Sequence, residues 1–207
     1  MEIRLHELGK RFGNEWIFRD AEALITQGEQ ISILGPNGSG KSTFLQIVAG
    51  ALLPTQGKVA WFHSGKEIDA EEIYRLISFA APYIDFPEEL TLKEIVDFHF
   101  SFKRPVDDLS ITELIAISGL SHASDRSLRF FSSGMRQRVR LLLALCSDVP
   151  LLLLDEPCSN LDKPSVIWYQ DLCGRFVRNK TVLVASNQME EEYFNCKRSL
   201  EITRWKS

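Results

Sequence analysis

Nine residues, GPNGSGKST (35–43), constrain the fold of this chain more than any other stretch. They follow the apolar run ISIL (31–34), which predicts a buried strand, and they precede FLQIVAG, which predicts a helix. The spacing G-x-x-x-x-G-K-[ST] between a strand and a helix is that of a phosphate-binding P-loop. A chance match is expected in fewer than about 1% of chains of this size at ordinary residue frequencies. We therefore interpret the stretch as a nucleotide-binding loop.

The residue types of this loop suit phosphate chemistry. Gly35, Gly38 and Gly40 allow backbone angles closed to other residues, so that successive N–H groups can turn toward anionic oxygens. Lys41 is expected to reach the β- and γ-phosphates of ATP, and the Ser42 hydroxyl to ligate Mg²⁺. The other loop residues predicted to surround the nucleotide are Pro36, Asn37, Ser39 and Thr43.

A second buried strand is predicted at LLLLDEP (151–157), and it ends on two adjacent acids. Asp155 is expected to hold the metal ion, and Glu156 to polarise the attacking water. Taken alone, the two acids are equally consistent with a strand-to-turn junction that faces solvent. Because the P-loop is present, we predict the metal and catalytic roles.

A third stretch, FFSSGMRQR (130–138), precedes a run of helical character. Its small polar residues would present a hydroxyl and free N–H groups at a helix N-terminus, where an anion binds well. The stretch is similar to the LSGGQ-type signature of ABC transporter ATP-binding subunits and matches it at Ser132 and Gly134. Ser133 stands where a glycine is usual in that family, and Met135 where a glutamine is usual.

Together with SNLD (159–162), which matches the D-loop of that family, the ordered motifs make essentially the whole chain resemble an ABC transporter ATP-binding subunit. Phe12 stands about where the family places an aromatic residue that stacks on adenine. The resemblance implies an α/β fold: a P-loop NTPase core with a largely parallel sheet, an antiparallel β part near the N-terminus and an inserted helical subdomain. The implied single domain spans 1–207, with the core at about 1–82 and 138–207 and the helical subdomain at about 83–137.

Within the helical region, ELTLKEIVDFHFSF begins at residue 89 and has helical spacing. Thr91 and Glu94 fit a capping box. His99 is expected to be a packing residue. The aromatic residues expected in the core are Phe98, Phe100, Phe102, Phe130 and Phe131.

Two further positions depart from the family pattern. The Q-loop glutamine would fall at Pro82, which has neither a polar side chain nor a backbone N–H and predicts a rigid turn. The apolar run in TVLVASNQ (181–188) predicts a strand, after which Asn187 stands in place of the switch histidine. An asparagine amide donates a hydrogen bond but carries no proton or charge. We expect an altered, slower ATPase in which Asn187 is part of the catalytic site.

Composition restricts the setting in which such a protein works. The net charge is −4, whereas nucleic-acid-binding proteins usually show a basic surface. No stretch approaches the roughly 18 to 20 apolar residues that span a bilayer, and residues 1–20 are unlike a secretory signal. The four cysteines form no C-x-x-C pattern and predict free thiols in a reducing compartment.

The resemblance implies the motor subunit of an ABC transporter, cytoplasmic and peripheral at the inner face of the cell membrane. Its implied partners are a transmembrane permease subunit and, on ATP binding, a second copy whose signature covers the γ-phosphate; nucleic acid is not among them. An ATP-dependent clamp with little or no hydrolysis is the main alternative, favoured by Pro82 and Asn187. A soluble ABC protein acting on DNA or ribosomes is disfavoured by the single cassette, and a small-molecule kinase by the signature and the D-loop.

Overall fold

The computed structural model describes residues 1–206 and forms two compact units. The first comprises Met1–Phe79, Val149–Glu156 and the segment from Asn179 onward; the second comprises Ala80–Asp148 and Pro157–Arg178. The strands are β1 (Glu2–Phe12), β2 (Glu15–Ile25), β3 (Gln30–Leu34), β4 (Gln56–His63), β5 (Lys66–Ile68), β6 (Ile77–Ala80), β7 (Leu151–Asp155), β8 (Thr181–Ser186) and β9 (Arg198–Glu201). The helices are α1 (Lys41–Val48), α2 (Leu92–Phe102), α3 (Ile111–Ser118), α4 (Ser133–Leu145) and α5 (Lys163–Phe176).

The first unit contains an antiparallel sheet with the strand order β2-β1-β4-β5. Its long β1–β2 hairpin turns at Gly13, whose φ of 57° suits a tight two-residue connection. This sheet is the antiparallel β part that was predicted near the N-terminus.

A second sheet has the order β6-β7-β8-β3-β9, and β3 pairs in parallel with both β8 and β9. Every residue of β7 and β8 is buried, as expected for parallel strands that are covered on both faces. The apolar runs predicted at 31–34, 151–154 and 182–185 are therefore confirmed as strands. Phe44 of α1 and the apolar side chains of these strands belong to one buried core.

The second unit contains helices α2 to α5. Capping boxes begin two of them: Thr91 with Glu94 at α2, as predicted, and Ser110 with Glu113 at α3. In each, two backbone N–H groups that the helix leaves unpaired gain side-chain acceptors. The boundaries predicted for the helical subdomain, 83–137, stay a prediction.

The expectation that the aromatic residues of this region are core was wrong for three of them. Phe98 and Phe102 are 57% and 76% exposed, and Phe130 is also exposed, whereas Phe131 is buried. The cause is helical phase: the buried side chains of α2 are Leu92, Ile95 and Val96, and positions at this 3.6-residue spacing share one face. The two α2 phenylalanines lie off that face and contact each other, with ring centroids 5.2 Å apart.

His99 is half-buried, as a packing residue should be, and its Nε2 lies 2.9 Å from the Ser147 hydroxyl. That hydroxyl donates to the Leu143 carbonyl, so it accepts from an imidazole that carries its proton on Nε2. Burial, followed by the charge of Lys103, lowers the pKa of His99 from 6.5 to about 4. The imidazole is therefore neutral in the folded protein at neutral pH.

This shift makes stability depend on pH. Between pH 6.5 and 4 the His99 imidazole binds a proton in the unfolded chain but not in the folded protein. Its contribution to the free energy of unfolding is therefore fully present above pH 6.5 and is lost as the pH falls toward 4. We expect the free energy of unfolding to fall by roughly 2 kcal/mol between pH 7 and pH 5. Urea unfolding of the wild type and of His99→Gln at both pH values measures it. An equal pH dependence in the two proteins would contradict this assignment.

Candidate functional site

The carboxyl ends of three neighbouring parallel strands meet at one edge of the second sheet. In the register of the sheet Leu34 pairs with Ser186, and Asp155 pairs with Ala185. The Glu156 N–H then donates to the Ala185 carbonyl at 2.9 Å. Open parallel sheets bind ligands at this edge, so the residues that follow these strands form the candidate site.

The glycine-rich loop between β3 and α1 adopts left-handed backbone conformations. Gly38 and Gly40 have φ values of 73° and 100°, which glycine reaches at little cost. A Cβ on Gly40 would also strike the side chain of Ile17. Ser39 is buried between them, and its hydroxyl has no hydrogen-bond partner among the described residues. A buried, unsatisfied hydroxyl inside such a loop fits an anionic oxygen such as that of a phosphate.

Lys41, the first residue of α1, places its ammonium group inside this loop. Nζ donates to the carbonyls of Gly35 at 2.9 Å and Pro36 at 3.2 Å, and lies 3.9 Å from Oε1 of Glu156. The lysine side chain is 4% exposed and the glutamate side chain 33%, so solvent screens the ammonium little. A cation held in this way fits the phosphates of a nucleotide.

Two acids follow one another at the end of β7. Asp155 is buried, whereas Glu156 is half-exposed and has a φ of 42°, a conformation that is rare for residues other than glycine and costs energy. Ser42, which is half-buried, follows Lys41 as the second residue of α1. Carboxylate and hydroxyl oxygens are the ligands that Mg²⁺ takes in proteins, so Asp155 and Ser42 fit a magnesium site.

Asn187 follows β8 at the same edge and is exposed. Its Nδ2 donates to Oδ1 of Asn37 in a long hydrogen bond of 3.4 Å. Together with Pro36 and Gln188, these two residues line a cavity of about 330 Å³. Gln188 lines this cavity but was not predicted from the sequence. Its φ is 81°, and its place next to Asn187 was the available signal.

The signature residues lie in the second unit. The Ser132 hydroxyl caps α4 by accepting from the Met135 N–H at 3.2 Å, which confirms the predicted helix N-terminus. A Cβ on Gly134 would lie 2.9 Å from the Asn160 carbonyl, so this close approach requires glycine. These residues and Ser133 line a cavity of about 380 Å³.

Arg138 also lines that cavity and was missed from the sequence. Its guanidinium lies 4.5 Å from the centre of the Trp168 ring, and Nη1 donates to the Ser165 hydroxyl at 3.4 Å. Burial lowers the pKa of Arg138, and the charge of Asp162 opposes that shift. Its cationic side chain suits this cavity to an anion.

Two further positions that the sequence singled out are Phe12 and Pro82. Phe12 ends β1 with half of its side chain exposed, and the Lys10 ammonium lies 5.0 Å from its ring centre. Pro82 occupies the second position of a turn closed by a hydrogen bond from the Ile84 N–H to the Ala81 carbonyl at 3.1 Å, as the rigid-turn interpretation predicted.

A parallel sheet with this loop after one of its inner strands defines the class of P-loop NTPases. Residues 18–159 match the family model described as ABC transporter. Because the match covers more than half of the chain, this chain belongs to the ABC transporter family, and the resemblance seen in the motifs is confirmed.

Several known proteins are similar to this chain. The Nod factor export ATP-binding protein I of Bradyrhizobium diazoefficiens is 29% identical over 96% of this chain and 66% of its own length. The sulfate/thiosulfate import ATP-binding protein CysA of Mesostigma viride is 33% identical over 92% of this chain and 56% of its own. The chain thus spans about half to two thirds of the length of these relatives.

Among solved structures, the ATP-binding cassette MJ0796, a dimer bound to ADP and phosphate in a post-hydrolysis state, has a TM-score of 0.78 and 25% identity. The alignment covers 92% of this chain and 90% of that one. The likeness confirms the predicted fold class. Within residues 1–206, none of the helices has the length and apolar character needed to cross a membrane.

Proposed function

We propose that this chain binds and hydrolyses ATP as the motor subunit of an ABC transporter and drives a separate transmembrane permease. The observation that carries the proposal is the P-loop ammonium of Lys41, held 3.9 Å from the carboxylate of Glu156 at the carboxyl edge of a parallel sheet. Both the exporter-named and the importer-named relative support the transport role. We place the protein in the cytoplasm, at the inner face of the membrane, through its permease.

Each residue of the site has a defined task in this proposal. The loop 35–43 and Lys41 bind the phosphates, and Phe12 stacks on the adenine. Ser42 and Asp155 hold Mg²⁺, which when bound neutralises charge that develops on the phosphate oxygens. Glu156 accepts a hydrogen bond from the attacking water and orients it.

A second copy completes the site. Ser132, Ser133 and Gly134 present the N-terminal end of α4 to the γ-phosphate bound by the partner protomer, where the helix dipole favours negative charge. Head-to-tail closure of two copies forms two equivalent composite sites around a two-fold axis. The dimeric state of the similar cassette MJ0796 supports this arrangement.

Two measurements on the purified protein at high concentration test the function. Steady-state release of phosphate from MgATP reports hydrolysis, and sedimentation with and without ATP reports dimerisation. Turnover together with an ATP-dependent dimer is the expected result. The alternative is an ATP-dependent clamp with little or no hydrolysis, which Pro82 and Asn187 favour. It would be established by a dimer that forms with ATP but does not hydrolyse it, both with and without the permease.

Asn187 should contribute a modest share of the rate. An amide donor at a phosphate or water is weaker than a charge-assisted one, so we expect Asn187→Ala to lower kcat about tenfold, less than the 10²–10³-fold typical of a strong oriented donor. Asn187→His is expected to raise kcat, because an imidazolium adds charge. Phosphate-release kinetics measure both variants.

Gln188→Ala is the matched control, since Gln188 lines the same cavity but is assigned no contact with the phosphates. Equal losses in Asn187→Ala and Gln188→Ala would show that the cavity wall, rather than the Asn187 amide, determines the rate.

A further inference from the structure

Side chains of α4 hold the loop after β6, residues 81–88, by hydrogen bonds and ion pairs. In this loop Pro82 stands where the family has a glutamine. Pro82 sets its first turn, which the Ile84 N–H closes onto the Ala81 carbonyl. From α4, the Arg140 Nε–H donates to the Ile84 carbonyl at 2.6 Å, and Nη2 lies 3.4 Å from an Asp85 carboxylate oxygen. A backbone carbonyl and a carboxylate of this loop are thus held by one side chain.

Arg140 also has a third acceptor, which belongs to α4 and not to the loop. Its side chain is 8% exposed, and a guanidinium removed from water requires acceptors because it can only donate. Nη1 donates to Oε1 of Gln137 at 3.3 Å. Gln137 lies one helical turn earlier in α4 and is fully buried.

The guanidinium determines how the Gln137 amide is oriented. Because Arg140 offers donors alone, the amide oxygen must face it, and the amide nitrogen faces the opposite way. There Nε2 donates to the Pro157 carbonyl at 2.9 Å. One continuous path therefore runs from the Ile84 carbonyl through Arg140 and Gln137 to Pro157.

Pro157 follows Glu156 directly in the chain. Glu156 adopts a left-handed backbone conformation, which persists only where its surroundings enforce it. Proline has a fixed φ, so holding its carbonyl restricts the peptide groups that leave Glu156.

We propose that Arg140 is a positioning residue: through Gln137 it fixes the backbone after Glu156 and links it to the loop 81–88. The proposal rests on the proposed function, in which Glu156 orients the attacking water. In this chain the path connects the loop 81–88, through two side chains of α4, to the backbone that follows the proposed catalytic carboxylate.

The test combines ATPase kinetics with a readout that does not depend on activity. Cys158 follows Pro157 and is 4% exposed, so a thiol reagent reaches it only when this segment opens locally. Mass spectrometry of alkylated peptides gives its labelling rate without nucleotide. Cys146 and Cys173, both buried, report any general loss of stability in the same samples.

Arg140→Met removes the donors but keeps an apolar stem. We expect Cys158 to be labelled about tenfold faster with Cys146 and Cys173 unchanged, and kcat to fall roughly 10- to 100-fold at unchanged KM for ATP, because misplacement rather than lost binding is the cause. Gln137→Glu keeps an acceptor for Arg140 but loses the donor to Pro157, and should reproduce both effects.

Arg136→Met is the matched control. Arg136 holds the same loop by an ion pair to Glu88 at 2.8 Å, but the path from Arg140 to Pro157 does not include it. We expect less than about a twofold change in Cys158 labelling and kcat, because an ion pair this exposed contributes little.

Faster Cys158 labelling in Arg140→Met and Gln137→Glu, lower kcat at constant KM and a near-normal Arg136→Met support the proposal. Unchanged Cys158 labelling overturns it, and so does faster labelling with unchanged kcat. If the wild type itself fails to hydrolyse ATP, the proposed function falls and the catalytic part of this proposal with it. The labelling rates still decide whether Arg140 fixes the Pro157 segment.

Discussion

Glu156→Gln is expected to lower kcat for ATP hydrolysis by about 10²–10⁴-fold, the usual contribution of a general base. The amide has the shape of the carboxylate but cannot accept a proton from the attacking water. ATP binding should persist, because Lys41 keeps its donors and the loop 35–43 is unchanged. With hydrolysis blocked, the ATP-bound dimer should accumulate, and sedimentation with ATP measures it.

A matched control is available on the same unit of the chain. Glu190→Gln makes the same chemical change at an exposed position after β8, and near-normal turnover is expected. Wild-type kcat in Glu156→Gln would show that another group activates the water, and Asp155 would then be the next carboxylate to test.

The positions of the P-loop and of the two acids that end β7 were predictable because each depends on a short stretch of sequence. A glycine-rich loop between a strand and a helix specifies its own backbone, and the acids that end β7 reach the same edge because parallel strands are aligned. Capping of α2 by Thr91 and Glu94 is equally local, since the two residues lie three apart. Each of these patterns determines the structure of about ten consecutive residues and does not depend on distant parts of the chain.

The aromatic residues of α2 show where such reasoning fails. Hydrophobicity alone places Phe98 and Phe102 in the core, but the phase of the helix buries Leu92, Ile95 and Val96 instead. Choosing between the two faces requires knowledge of which neighbours cover the helix, and this information is tertiary.

The path through Arg140 was beyond prediction for a related reason. Arg140 bonds a carbonyl 56 residues away in sequence, and Gln137 one that is 20 residues away. Every residue type has the same backbone carbonyl group, so a sequence motif cannot show which carbonyl a side chain will bind. Only the fold shows that the polar residues of α4 are buried and which acceptors satisfy them.

Lys41→Met should abolish most of the affinity for ATP. The methionine side chain has a similar length but offers neither charge nor donor, so the phosphates lose a charge-assisted contact in a poorly hydrated loop. We expect Kd for a non-hydrolysable ATP analogue to rise about 10- to 10²-fold, because a hydrogen bond to a charged group contributes roughly 1.5–3 kcal/mol and about 1.4 kcal/mol is tenfold in Kd. Equilibrium dialysis against the labelled analogue measures it, with Lys66→Met, an exposed lysine in β5, as the control.

The two variants separate binding from chemistry. In the free protein Lys41 and Glu156 are 3.9 Å apart, so each partly neutralises the other until phosphate attracts the ammonium. Lys41→Met should therefore weaken binding and turnover together, whereas Glu156→Gln should spare binding and lower turnover. If Lys41→Met kept wild-type affinity for the analogue, Lys41 would not bind the phosphates. Its role would then be to stabilise the loop through its hydrogen bonds to the Gly35 and Pro36 carbonyls. Nucleotide would then be bound by the backbone N–H groups of the loop and the end of α1 alone.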